Sequence, residues 1–240
     1  MPHSEQTIQL LAQATTATLT TVLFKKGLRN VWIRGSAPLA SGQPRVVGPA
    51  FTLRFIAGRE DINTPAAWSS PKSTRAAVEA MPPGFVAVAD ALGRTDAGIF
   101  GDILCARMRA RGVKAFVSDG AVRDRVGVIS SELPTWCAGV AAPPAVAQLA
   151  FVGWQDPISC GGVAVFPGDM IVADDDGAIV IPAALAKEVA EIAAEQEELE
   201  VWILNEVRAG HPLTGLYPLS KENEARYQME SSGGRRNANR

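Results

Sequence analysis

Two hydrophobic rhythms run through the chain. Phe100, Leu104 and Met108 recur four residues apart, with Ile103 beside them. That spacing places them on one face of a helix. Arg107, Arg109 and Arg111 follow toward its C-terminal end, where cations suit the helix dipole. Gly112 can take the left-handed turn that stops a helix. The run "VKAFVSDG" then gives Val113, Ala115, Phe116 and Val117, short and apolar, ahead of an Asp119-Gly120 turn signal. A helix-to-strand unit is predicted. Arg123 and Asp124 then fall in the loop past a strand end, and Gly101-Asp102 near a helix start. In α/β folds those are the places where ligands bind.

The same patterning organises the rest. Ser4 can cap a helix through about residue 14, and "TTVLFKKG" reads as a second one stopped by Gly27. Residues 35–49 are turn-rich and read as loop. Residues 50–56 read as a strand, 74–80 as a helix broken by "PPG", and 85–89 as a buried strand. "PAVAQLAF" fits a short helix or an edge strand. Residues 161–182 divide into three short strands at Pro-Gly-Asp and Asp-Asp-Gly turns. Pro182 opens a long helix over 183–209, closed by Gly210. Strands before and after helices predict an α/β protein, a mixed sheet with helices packed on it. The expected organisation is one domain over residues 1–230. Its core spans about 15–182, with a C-terminal helix and extension at 183–230. Residues 231–240, "SSGGRRNANR", are expected to be a disordered tail.

Composition narrows the chemistry. The chain has 240 residues, 47% of them hydrophobic, enough for one sizeable core. A formal net charge of −2 argues against a nucleic-acid partner. No apolar run approaches the ~20 residues that span a membrane. The N-terminal "MPHSEQTIQLLAQ" lacks the features of a signal peptide. Cys105, Cys137 and Cys160 form no CxxC pair, so reduced thiols and a cytoplasmic location are expected. His3 and His211 are the two histidines, which argues against a Ser-His-Asp triad or a histidine-rich metal site. The chemistry then falls to carboxylates, arginine, lysine, backbone amides or an oxygen-held metal.

One spacing is specific. Gly101-Asp102 is followed by twenty residues and then Arg123-Asp124, within "RGVKAFVSDGAVRD". With "VVGPAFTL" and "PGDMIVADDDGAIVIP", this resembles the 4-hydroxy-4-methyl-2-oxoglutarate aldolases and the related regulator-of-ribonuclease-activity A proteins, over roughly residues 15–210. The resemblance implies a compact α-β-β-α sandwich like the swivelling phosphohistidine domains, with a long C-terminal helix. It implies homotrimers or homohexamers with sites at subunit boundaries. It implies a divalent ion, Mg2+ or else Mn2+ or another cation. Asp124 matches the metal ligand, and Arg123 the arginine that grips the pyruvyl group. Asp102 matches the acid that holds a water. The backbone amides of Gly101, Asp102, Ile103 and Leu104 match the loop that receives the substrate carboxylate.

The chemistry is consistent with those roles. Cleaving a carbon–carbon bond beside a 2-oxo acid leaves a pyruvate enolate whose charge needs a sink. Magnesium takes oxygen ligands and keeps several waters, so one direct carboxylate suffices. Arginine offers a planar fork to the same anion, and helix-start amides add positive potential. The expected activity is a metal-dependent aldolase that cleaves a 4-hydroxy-2-oxo acid to pyruvate plus a carbonyl compound, with oxaloacetate decarboxylation by the same route. A dehydratase or hydrolase with this chemistry is a close variant.

Plainer readings stand beside these. Arg123 and Asp124 can form a surface ion pair, and Asp102 can complement a helix N-terminus. Asp174, Asp175 and Asp176 fit a hairpin turn better than a calcium loop. "EQEELE" fits a solvated helix face, though the resemblance lets Glu197 or Glu198 enter a neighbouring site. Lys114 permits a Schiff-base mechanism. The insert at residues 58–75 and the C-terminal extension depart from the family and would shape a different pocket. The competing function is a non-catalytic regulator that binds an RNA-degrading endonuclease. A menaquinone methyltransferase, another family label, is set aside because the sequence shows no Gly-rich loop after an early strand of the kind such a cofactor usually needs.

Overall fold

The computed structural model describes residues 3–237. In chain order its elements are α1 (Glu5–Gln13), α2 (Thr16–Lys25), β1 (Ala37–Pro38), β2 (Val46–Ala57), α3 (Thr74–Ala80), β3 (Val86–Asp90) and α4 (Asp102–Ala110). Next come β4 (Ala115–Ser118), β5 (Ala121–Val122), α5 (Arg125–Ser130), β6 (Thr135–Cys137), β7 (Gly139–Val140) and β8 (Leu149–Trp154). The chain continues through β9 (Ile158–Cys160), β10 (Val163–Val165), β11 (Met170–Asp174), β12 (Gly177–Ile181), α6 (Ala186–Arg208) and α7 (Lys221–Asn237). The tail expected at 231–240 lies partly outside the described residues, and within them α7 continues to Asn237.

Eight strands form one mixed sheet in the order β1-β6-β4-β3-β2-β11-β12, with β8 paired to the C-terminal half of β2. β2, β3, β4 and β6 run parallel; β1, β8, β11 and β12 join antiparallel. The sheet curls until it nearly closes. Across the gap, the buried Trp136 of β6 donates its indole N–H to the Asp174 carbonyl of β11 at 2.7 Å.

Strand alternation sorts the apolar residues into layers. Inward from β3, β4 and β11 point Val86, Val88, Ala115, Val117, Ile171 and Ala173, which pack with Trp136 inside the curl. Their neighbours Ala87, Ala89 and Phe116 point outward and meet Met81, Met108 and Val128 of the α3–α5 side. Met170, Val172, Ile179 and Ile181 point outward elsewhere and meet α1, α2 and α6. Phe100 packs against Phe116 with the rings tilted and their centres 4.8 Å apart. Fully burying one such ring contributes about 1.5–3 kcal/mol.

Two expectations change at this level. β2 starts at Val46, inside the stretch read as loop. Gly48 hides it: a Cβ there would sit 2.7 Å from the Gly84 carbonyl, so the strand needs glycine where it would otherwise show an apolar side chain. The undecided "PAVAQLAF" is both alternatives in turn, a 3-10 turn at Ala145–Ala147 and then β8. The aspartate run is a hairpin turn, as expected. Asp174 accepts from Thr16 N (2.9 Å) and Thr16 Oγ1 (2.6 Å), fastening the start of α2 to the sheet.

Candidate functional site

Two loops lie side by side and build the site. The chain leaving β3 passes residues 98–100 alongside β5 before entering α4. Ile99 N donates to the Ala121 carbonyl and Arg123 N to the Phe100 carbonyl, both at 2.9 Å. β5 also pairs in parallel with β7. Arg123 and Asp124 therefore leave a short, doubly braced strand, and α4 begins next to them.

Glycines allow this approach. A Cβ at Gly98 would sit 2.6 Å from the Arg123 Cβ, and one at Gly101 would sit 2.6 Å from Asp124 Oδ2. A Cβ at Gly127, in α5, would lie 2.6 Å from the Asp102 Cβ. The start of α4 thus rests directly on α5, and both carboxylates sit where the two helices begin.

Asp124 occupies the N-cap of α5 with φ 54° and ψ 46°, yet its side chain makes no capping bond. A non-glycine residue in the left-handed region is uncommon and carries strain. Here it turns the carboxylate away from the helix it precedes. Asp124 Oδ2 instead accepts from Arg123 Nε at 3.1 Å, in a half-exposed ion pair. Gly101 caps α4 without a side chain. Asp102 Oδ1 accepts from Ile103 N at 2.7 Å, so one of the amides expected to receive substrate faces this carboxylate.

All of these groups open on one cavity of about 530 Å³. Gly98, Gly101, Asp102, Ile103, Leu104, Arg123 and Asp124 line one part of it. The insert lines another, through Ile62, Asn63, Trp68, Lys72 and Arg75. The sequence-predicted residues are therefore brought together, and the insert does shape the pocket. The motif spacing does not single out Gly98, Gly127 or Trp68. An isolated glycine in a helical pattern, as at Gly127, was the available signal for close backbone approach.

Other candidates fall elsewhere. Lys114 Nζ donates to the Val47 carbonyl at 3.0 Å and lines a different cavity with Arg45 and Arg109. Glu197 accepts from Thr15 N of its own chain at 2.6 Å, capping the start of α2. The three cysteines are free and buried. Burial pushes the Cys105 thiol up to about 12, helped by the Asp102 charge. Asp119, behind the site, accepts from Ala91 N, Gly93 N and Gly161 N. Burial nonetheless raises its carboxyl, against those bonds.

A divalent cation suits what is present at Asp124. A carboxylate at a helix N-terminus that does not cap the helix, open to a cavity, is a hard oxygen donor with capacity to spare. Among the described residues there is no group of three or more His, Cys, Asp or Glu side chains set to hold a metal. Magnesium keeps most of its waters when bound, so one direct carboxylate can be enough to hold it. No helix of the described residues is long and apolar enough to cross a membrane.

In this chain a braced strand delivers an Arg-Asp pair to the start of a glycine-capped helix. A family model described as "RraA-like: Aldolase/RraA" matches residues 16–180, and the chain belongs to the RraA-like family. Among particular relatives, a Halalkalibacterium halodurans protein named "Putative 4-hydroxy-4-methyl-2-oxoglutarate aldolase" is 37% identical over 139 residues, 58% of this chain and 60% of that protein. "Protein DlpA" of Legionella pneumophila is 32% identical over 145 residues, 60% of this chain but only 22% of its own length. Among solved structures, Streptomyces coelicolor RraAS2, described as an unusual member of the RNase ES inhibitor RraA protein family, is 32% identical with a TM-score of 0.75. The match covers 84% of this chain and 97% of that one. An uncharacterized Pseudomonas syringae pv. tomato protein superposes with a TM-score of 0.77 at 28% identity, covering 90% of this chain and 99% of that one.

Proposed function

We propose that this chain is a divalent-metal-dependent lyase that cleaves a 4-hydroxy-2-oxo acid to pyruvate and a carbonyl compound, and that also decarboxylates oxaloacetate. The observation that carries this is the convergence of Arg123, Asp124, Asp102 and the α4 N-terminus on one cavity. The named aldolase relative supports the reaction class.

Asp124 would hold the ion, Mg2+ or Mn2+. When bound, the ion supplies Lewis-acid stabilisation of developing enolate charge. Arg123 grips the pyruvyl carboxylate through its Nη edge, since Nε is the atom that donates to Asp124. The first-turn amides of α4 add fixed positive potential to the same anion. Asp102 orients a water that moves the proton. In the aldol cleavage the C4 hydroxyl gives up its proton and the C3–C4 bond breaks. The bonding pair passes into the enolate, C4 becomes the carbonyl product, and C3 takes a proton to give pyruvate. With oxaloacetate the same bond breaks and carbon dioxide leaves. The subunit-boundary site and the trimer or hexamer that the family resemblance implies, and a cytoplasmic location, belong to this reading.

The test is pyruvate release from oxaloacetate and from 4-hydroxy-4-methyl-2-oxoglutarate, with magnesium or chelator, by wild type and Asp124→Ala. Magnesium-dependent release that falls by roughly 10²–10³ in the variant is expected. Release that survives both chelator and substitution would sink the metal assignment. The RraAS2 likeness favours a second reading, a non-catalytic regulator of an RNA-degrading endonuclease. It predicts falling endonuclease activity on titration with no turnover of either compound.

A further inference from the structure

Resting on the lyase reading, we infer that the 62–75 segment recognises the half of the substrate that becomes the carbonyl product, and that this half is an aryl group. A pyruvyl unit fills only a fraction of a 530 Å³ cavity. Beyond the Arg123–Asp124 end, its lining includes Phe55, Ile62, Trp68, Val146, Leu149 and Phe151. Lys72 and Arg75 line it too, but these six side chains make an apolar and aromatic wall that fits a ring.

Four of the polar side chains that line this end, Asn63, Ser70, Ser73 and Arg75, have partners within the chain. Asn63 Nδ2 donates to the Val146 and Leu149 carbonyls, both at 3.0 Å, which docks the segment onto the edge of β8. Ser70 Oγ accepts from Lys72 N at 3.1 Å, and Ser73 Oγ caps α3 by accepting from Ala76 N at 3.3 Å. Arg75 Nη1 donates to the Trp68 carbonyl at 2.8 Å, and its guanidinium carbon lies 5.6 Å from the Trp68 ring centre. Arg75 therefore acts on Trp68, holding the indole as a plate against which a substrate ring can stack. Trp68 is 39% exposed, an aromatic surface left open at a cavity wall. Lys72 lines the cavity but is exposed, where pairing with an anion gains little.

The experiment compares kcat/KM for pyruvate release from 4-hydroxy-2-oxo-4-phenylbutanoate, 4-hydroxy-4-methyl-2-oxoglutarate and oxaloacetate. Wild type, Trp68→Ala, Trp68→Phe and Lys72→Gln are each measured. Wild type is expected to prefer the phenyl compound over the dicarboxylic aldol. Trp68→Ala is expected to lower the phenyl-to-oxaloacetate ratio by roughly ten- to a hundredfold, mostly through KM, with Trp68→Phe restoring most of it. Lys72→Gln is expected to keep the ratio. Preference for the dicarboxylic aldol, lost in Lys72→Gln, would overturn the assignment, and so would a ratio indifferent to Trp68→Ala. Oxaloacetate turnover with no phenyl preference defeats the aryl pocket alone. No pyruvate from any of the three defeats the lyase reading, and the aryl pocket with it.

Discussion

Replacing Gly101 with alanine isolates the position of one carboxylate. Gly101 has φ −122° and ψ −172°, extended backbone that any residue adopts, so alanine is unstrained there and costs only the roughly 1 kcal/mol by which it is a poorer N-cap than glycine. Its Cβ would meet Asp124 Oδ2 at 2.6 Å and Arg123 Cγ at 3.1 Å. The nearest obstructing atom, Asp124 Oδ2, is the end of a half-exposed side chain and can move, while Arg123 Cγ must give by only a few tenths of an ångström. Reaching ordinary contact at 3.4 Å displaces the carboxylate by roughly 0.8 Å. A misplacement near 1 Å costs about 10²-fold in rate, or about 2.7 kcal/mol of transition-state stabilisation. Gly101→Ala is therefore expected to keep its melting temperature within about 4 °C while pyruvate release falls about 10²-fold. The magnesium concentration for half-maximal activity should rise with it. Gly127→Ala is the contrast. Its Cβ would meet the Asp102 Cβ at 2.6 Å, an atom fixed to the α4 backbone, so α4 and α5 must separate. Better helix propensity returns at most about 1 kcal/mol. Melting temperature and activity should fall together. Thermal denaturation and a coupled pyruvate assay on both variants decide the matter. Full activity in Gly101→Ala would refute the reasoning, because the placement of the Asp124 carboxylate would then not matter.

Two more outcomes follow from buried groups. Asp119 has its carboxyl raised by burial, so its contribution to stability is greatest below the ordinary carboxylate value of 3.8 and declines as pH rises through the raised value. Urea unfolding of wild type and Asp119→Asn should show a wild-type advantage that shrinks from pH 4 to pH 7; a growing advantage would reverse the sign of the assignment. Burial holds the Cys105, Cys137 and Cys160 thiols protonated. Iodoacetamide at pH 8 should leave all three unmodified in the native protein and label all three in urea, as read by intact mass; native labelling of Cys105 would mean that α4 opens locally.

The parts of this fold that the sequence made legible are those with long or uninterrupted patterns. Residues 74–80 form α3 as expected, and the glycine- and aspartate-marked turns after residue 160 separate β10, β11 and β12. α5, β6 and β7 were not read. Each is six residues or fewer, too short to display a period, and Thr135–Cys137 follows a proline. The Arg123-Asp124 pair stood out because of its spacing from Gly101-Asp102. The left-handed backbone of Asp124 did not, because nothing in an aspartate's surroundings in sequence distinguishes a capping carboxylate from one turned away. Trp68 stayed hidden for a related reason: its place depends on Asn63 and Arg75, whose partners lie in other elements.

β2 has a consequence for how the chain reaches this state. Its Val46 and Ala50 face the interior of the curl, Val47 faces the α1–α2–α6 layer, and Phe51, Leu53 and Phe55 face the α3–α5 layer. Its pairing partners β3, β8 and β11 come from sequence positions far apart. No layer can close until this strand is in place, and placing it requires closing long loops first. Folding is therefore expected to be slow and all-or-none, with substitutions in β2 felt in the rate of folding before they are felt at the cavity.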